Sequence, residues 1–223
     1  MDTWTASAAE AWAAVVEAAH TLFTNGVISH TGHANLSART AEDTIVLTAR
    51  GNPCDLTPDD LALVRLDGSV IAGGVDPAAA EIVAMHTEVY RVRPCVGAII
   101  HTHSPHLVAF AMANRPLPCR YEAMLRLGQA EDVPVVPWAP RGSGKSVSGI
   151  VDALAAHPGT RAVLLGNHGV LAFGADPNEA MALVSVLEEA AESEVTAGAL
   201  GGAVDFPPGA LEDVRASMAR VRF

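Results

Sequence analysis

The chain has 223 residues, half of them hydrophobic but only 4% aromatic, so one core built from Ala, Val, Leu and Ile is the default expectation. Twenty-five acidic residues against 14 basic ones give a net charge of -11, which repels polyanions and argues against nucleic acid as a partner. Cys54, Cys95 and Cys119 form no Cys-x-x-Cys pair, the N-terminus lacks a secretion signal's basic start, and no apolar run approaches the roughly 18 residues of a membrane span, so a reduced, cytoplasmic protein without membrane contact is expected.

Apolar residues Trp12, Val15, Val16, Ala19, Leu22 and Phe23 recur at helical spacing and predict an amphipathic helix over 8–23, stopped by Asn25-Gly26. Runs at 44–48 and 61–66 predict strands, and Asp67-Gly68 is a hairpin signal leading into 69–72. A helix over 77–91, with Ile82, Met85, Val89 and Tyr90 on one face, ends at Pro94 before a buried strand at 96–100. Further helices are expected at 107–113, 147–156 and 178–200, and strands at 133–136, 162–165 and 170–173. Such alternation indicates one α/β domain over 1–223, a central sheet covered by helices. Residues 201–208 read as a loop, and the C-terminal tail within 200–223 ends as either a short helix or a mobile segment.

The sharpest local feature is Ile99-Ile100-His101-Thr102-His103-Ser104. Residues i and i+2 of a strand share a face, so His101 and His103 project together, and neutral imidazole is a common zinc ligand. The alternative is two hydrogen-bonded strand-end histidines. Gly166-Asn167-His168-Gly169-Val170 offers a third imidazole in a tight turn whose glycines allow close backbone approach. Three histidines with an open position would make a catalytic site rather than a closed structural one. Glu81, in the first turn of the helix before the His-x-His strand, is either an acid/base group or a carboxylate stabilised by the helix dipole. His20, His86, His106 and His157 read as structural or surface residues.

These motifs, with Pro77-Ala78-Ala79-Ala80-Glu81, Met85-His86, Tyr90, Arg93-Pro94, Gly26-Val27-Ile28 and Asn35-Leu36-Ser37-Ala38-Arg39, resemble the class II aldolase/adducin family over about residues 8–195. That family includes fuculose-phosphate and rhamnulose-phosphate aldolases and ribulose-phosphate 4-epimerases. The resemblance implies a three-layer α/β domain with a mixed sheet and a homotetramer with metal sites near subunit interfaces. It also implies one divalent ion per subunit on His101, His103 and His168, with Glu81 as ligand or acid/base. Zinc is the first expectation for that ion, with manganese, cobalt and iron as alternatives.

The sequence departs from the sugar-phosphate members where they grip phosphate. The family's hydroxyl-rich stretches are replaced by Gly32-His33-Ala34-Asn35, Thr48-Ala49-Arg50-Gly51 and Ala79-Ala80-Glu81. Each lost neutral donor removes about 1 kcal/mol of binding, whereas the planar fork of Arg50 suits a carboxylate. The pocket is therefore expected to comprise Asn35, Arg50, Gly51, His33, Ala79 and Ala80, with His30, Tyr121 and Glu122 as further candidates. The expected activity is carbon–carbon lysis, by aldol cleavage or decarboxylation, of a small unphosphorylated carboxylate or keto/hydroxy substrate. The competing readings are a sugar-phosphate aldolase or 4-epimerase, an iron-dependent oxygenase, and a non-catalytic adducin-like interaction module.

Overall fold

The structure is a computed structural model that describes residues 6–50, 53–140 and 143–221. Its centre is one eight-stranded sheet: β1 (Ala34–Ala41), β2 (Thr44–Thr48), β3 (Leu61–Arg65), β4 (Val70–Ala72), β5 (Ala98–Thr102), β6 (Val135–Val136), β7 (Ala162–Leu165) and β8 (Gly169–Gly174). The spatial order is β4-β3-β2-β1-β5-β8-β7-β6. All neighbours are antiparallel except β6 and β7, so the sheet is mixed.

Both faces of the middle of this sheet are covered, which is why β2, β3, β7 and β8 read as almost unbroken apolar runs. Alternate residues go to opposite cores, as the period of two requires. Val46, Leu61, Leu63, Ala98, Ile100, Leu164, Val170 and Ala172 pack into a core with α1 (Ala6–Thr24), α3 (Pro105–Ala113) and α6 (Pro177–Ala197). Ile45, Leu47, Ala62, Val64, Ile99, Val163, Leu165, Leu171 and Phe173 pack into a second core with α2 (Ala80–Val92) and α5 (Lys145–Ala156). The result is the expected three-layer α/β domain.

Several expectations shift in detail. The strand expected at 96–100 lies at Ala98–Thr102, so His101 is part of the strand rather than beyond its end. The first helix buries Ala8, Val15, Ala18, Ala19 and Leu22, while Phe23 is left 47% exposed. Small alanines on that face let the helix lie close to the sheet, and Phe23 follows Leu22 by about 100° around the helix axis. Two elements were not anticipated: the central strand β1 and the short helix α4 (Glu122–Arg126). The tail resolves as a 3₁₀ turn (Gly198–Leu200), a loop and α7 (Ala210–Val221), which packs against α4. Among the described residues, no helix is long and apolar enough to cross a membrane.

Candidate metal centre

The antiparallel pairing of β1 with β5 places Asn35 directly opposite His101, and Leu171 of β8 faces His101 from the other side. Opposed residues of an antiparallel pair project to one face, here the face shared with α2 and α5. His33 precedes β1 by one residue and His103 follows β5 by one. The same register brings them together, and their rings stack with centroids 4.4 Å apart. His168 sits in the β7–β8 turn, entered through Asn167 in the left-handed region (φ 55°).

Four imidazoles thus converge. The centroids of His101, His103 and His168 form a nearly equilateral triangle with sides of 5.1, 4.8 and 4.8 Å. Zinc–nitrogen bonds of about 2.1 Å put tetrahedrally arranged imidazole centroids about 5 Å apart, a spacing comparable with that of these three rings. Among the described residues, the three whose potential ligand atoms lie within 4.8 Å of one another are His33, His101 and His103. His33, expected to line only the substrate pocket, is therefore a neighbour of the metal centre as well.

Local interactions prepare His101 for ligation. It is buried, and its Nδ1–H donates to the carbonyl oxygen of Val170 at 2.9 Å, which leaves Nε2 as the lone-pair nitrogen. Burial, followed by the proximity of His168 and His103, holds its pKa well below the ordinary histidine value. A neutral ring with one anchored nitrogen is the state a metal requires. Just beyond His103, the half-turn into α3 is fixed from α6. Glu188 accepts from the backbone N–H of His106 at 2.9 Å and of Leu107 at 3.0 Å, and from His106 Nδ1 at 2.9 Å. A buried carboxylate thus caps a helix beginning two residues after the second histidine.

Glu81 lies in the first turn of α2 and lines a small cavity of about 50 Å³ with His33, Asn35, His101, His168 and Ser146. The Ser146 hydroxyl, near the start of α5, donates to Glu81 Oε1 at 2.6 Å. Sequence reasoning missed Ser146 because the contact spans 65 positions and nothing local marks that serine. A wider cleft of about 340 Å³ adjoins this cavity, sharing His33, Asn35 and Ile82 with it, and is lined further by Thr31, Gly32, Thr48 and Arg50. Arg50 Nε donates to the Asp59 carbonyl at 3.1 Å, which steadies the guanidinium at the cleft.

Other expected site residues lie elsewhere in the chain. Ala79, Ala80 and His30 are not among the residues lining these two cavities. Tyr121 donates to Glu189 on α6, and Glu122 pairs with Arg126 along α4. Gly51 lies outside the described residues.

Behind Asn35 runs a buried polar chain. His86 Nε2 is 2.6 Å from Asn35 Oδ1, His86 Nδ1 is 2.7 Å from Ser37 Oγ, and Ser37 Oγ is 2.9 Å from the Tyr90 hydroxyl. All four residues are buried. His86, expected to be structural or on the surface, is structural. Burial pushes its pKa down to about 3 and the Tyr90 hydroxyl's pKa up.

A mixed three-layer fold carrying a cluster of imidazoles beside a carboxylate is suited to a metal-dependent lyase. The Class II Aldolase and Adducin N-terminal domain matches residues 13–195, and the chain belongs to that family. It is 29% identical over 178 residues to a 5-methylthioribulose-1-phosphate/5-deoxyribulose-1-phosphate aldolase of Rhodospirillum rubrum, covering 80% of this chain and 77% of that one. A methylthioribulose-1-phosphate dehydratase of Pseudomonas syringae is 28% identical, covering 81% of this chain and 92% of its own. In fold, the chain is similar to a solved L-fuculose 1-phosphate aldolase, with a TM-score of 0.82, 24% identity, and 94% and 96% of the two chains covered. The chain is accordingly an enzyme of the lyase class.

Two outcomes follow from this geometry. A Cβ added at Gly169 would stand 2.5 Å from the Thr102 carbonyl oxygen and 2.8 Å from His103 Cδ2. Gly169→Ala should therefore displace the histidines and weaken any divalent-metal affinity by about 10-fold or more, as measured by chelator competition. The second concerns acid. His86 is neutral when folded, with a pKa of about 3, but titrates near 6.5 when unfolded. Its contribution is intact above pH 6.5 and is lost as pH falls from there towards 3, because the unfolded chain takes up the proton first. Urea unfolding of metal-free protein should show a loss between pH 7 and 4.5 to which His86 contributes on the order of 2–3 kcal/mol, with a shallower slope in His86→Gln. His101, whose pKa is lowered in the same direction, remains in both proteins.

Proposed function

We propose that the protein is a divalent-metal-dependent carbon–carbon lyase, an aldolase or decarboxylase, whose ion is held by His101, His103 and His168. The observation that carries this reading is the 4.8–5.1 Å imidazole triangle, two of whose members, His101 and His168, line the same cavity as Glu81. Zinc is the ion best suited to a three-imidazole set that keeps a position open, although manganese, cobalt and iron also accept such donors. When bound, the ion supplies Lewis-acid stabilisation of the negative charge left as a bond next to a carbonyl breaks.

The chain's own residues supply the rest. Glu81 moves the proton at the carbon released by cleavage, with its carboxylate oriented by the Ser146 hydroxyl. Asn35 and His33 line the passage between the small cavity and the cleft and contact the substrate's oxygens. Loss of an aldehyde and loss of carbon dioxide both leave negative charge on the same carbon, so one arrangement serves either reaction.

Arg50 gives the substrate its class. It presents a planar guanidinium at a cleft where few neutral hydroxyls remain, which favours a small unphosphorylated carboxylate over a sugar phosphate. The curated relatives favour a second reading, because those described above are named for phosphorylated sugars. In that reading Arg50 grips the phosphate. A homotetramer in the cytoplasm completes the proposal, on the family pattern, with Tyr121 or Glu122 as candidate groups offered to a neighbouring subunit.

Metal analysis of the purified protein should find one divalent ion per subunit and essentially none in a His101/His103/His168 triple alanine variant of unchanged fold. Full occupancy in that variant would sink the ligand assignment. The substrate class is read from Arg50. Across a panel of hydroxy-keto acids and sugar phosphates, Arg50→Ala should raise KM for the true carboxylate substrate by the equivalent of about 2–3 kcal/mol, with Arg50→Lys recovering only part. Efficient cleavage of fuculose or rhamnulose phosphate by the wild type would establish the second reading instead.

A further inference from the structure

We propose that His86 is a positioning residue: it accepts from Ser37, donates to Asn35, and so holds the Asn35 carboxamide with its NH2 turned into the cavity as a fixed donor for a substrate oxygen. The inference rests on the reading of Asn35 as a substrate-contacting residue and names what sets its polarity.

The argument is a count of protons. A carboxamide presents an acceptor on one side and a donor on the other, and a half-turn about its last bond exchanges them. Asn35 Oδ1 faces His86 Nε2 at 2.6 Å. A carbonyl oxygen only accepts, so Nε2 carries the hydrogen. A neutral imidazole has one N–H, which makes Nδ1 an acceptor. Its partner at 2.7 Å, the Ser37 hydroxyl, must then donate, and Ser37 Oγ in turn accepts from the Tyr90 hydroxyl at 2.9 Å. Every proton has one place, and the chain ends with the Asn35 NH2 away from His86.

Burial keeps this order fixed. His86 is fully buried and stays neutral, and Tyr90 keeps its proton. Reversing the chain would require Tyr90 to send its proton to a different acceptor. Asn35 is the residue that gains from the order, because it lines both the cavity of the imidazoles and Glu81 and the cleft of Arg50. A carboxamide free to turn would offer its oxygen to an incoming carboxylate part of the time, and two acceptors repel. Held donor-outwards, it selects substrates that place a carboxylate, carbonyl or similar acceptor oxygen at that point.

Nitrogen NMR of zinc-loaded protein labelled in its histidine rings reads the tautomer directly, and His86 should show the Nε2–H form from pH 7 to 5. Oxalate, an acceptor-only chelator, serves as the ligand probe by calorimetry. His86→Ala should weaken oxalate binding about 10-fold while leaving zinc affinity within about 2-fold, and His86→Gln, whose amide N–H can reach Asn35, should restore most of the loss. If His86→Ala does not fold, Ser37→Ala removes the hydroxyl that fixes Nδ1 as acceptor. It should give mixed tautomers and an intermediate loss of oxalate affinity. An Nδ1–H tautomer in the wild type, or oxalate binding unchanged in a folded relay variant, overturns the inference while leaving the lyase reading intact. Failure of the wild type to bind zinc, manganese, cobalt or iron would sink the metal-ligand assignment instead, and the tautomer would still decide the polarity of the chain.

Discussion

The register between β1 and β5 is the constraint on which the site depends. It sets Asn35 opposite His101 and carries His33 round to His103. A slip of one residue would invert every side chain on β1. Asn35 and Ser37 would then enter the all-apolar core against α1, and Leu36 and Ala38 would face the polar side chain of His86 on α2. Each error strands a buried polar group, at a cost of about 1–3 kcal/mol. The apolar face and the polar relay therefore enforce the same alignment, and the geometry of the imidazoles follows from it.

A second theme is the scarcity of charge inside the site before an ion arrives. His101 and His86 are both held neutral by burial, although the protein as a whole is strongly acidic. A neutral His101 has no proton to lose before it offers its lone pair, and Glu81 lines the same cavity. The larger anionic contribution sits outside the pocket. Glu188 spends its charge on the backbone N–H groups at the start of α3. There it stiffens the exit of the histidine strand without competing for the ion.

The clustering of His101, His103 and His168 was legible because their signals are local: an i, i+2 pair on an apolar run, and a histidine in a glycine-flanked turn. Most helices and the outer strands were legible for the same reason. β1 was not. Its sequence, Ala34 to Ala41, is small and polar with a single β-branched residue, and it becomes a strand because partners on both sides pair with it. The relay was invisible for a related reason, since Asn35 and His86 are 51 positions apart and each looks ordinary in its own segment. Ser146 shares that property. Arg50 stood out because it replaced an expected hydroxyl turn, and the structure places it at the cleft.

The Glu188 cap joins the end of the chain to its middle. His101 and His103 emerge from the ribosome well before β8, which pairs with their strand, and before α6, which carries Glu188. Until both have been made, β5 lacks one neighbour, α3 lacks its cap, and the third imidazole does not yet exist. The geometry of the histidine cluster is therefore set by segments that lie on both sides of it in sequence.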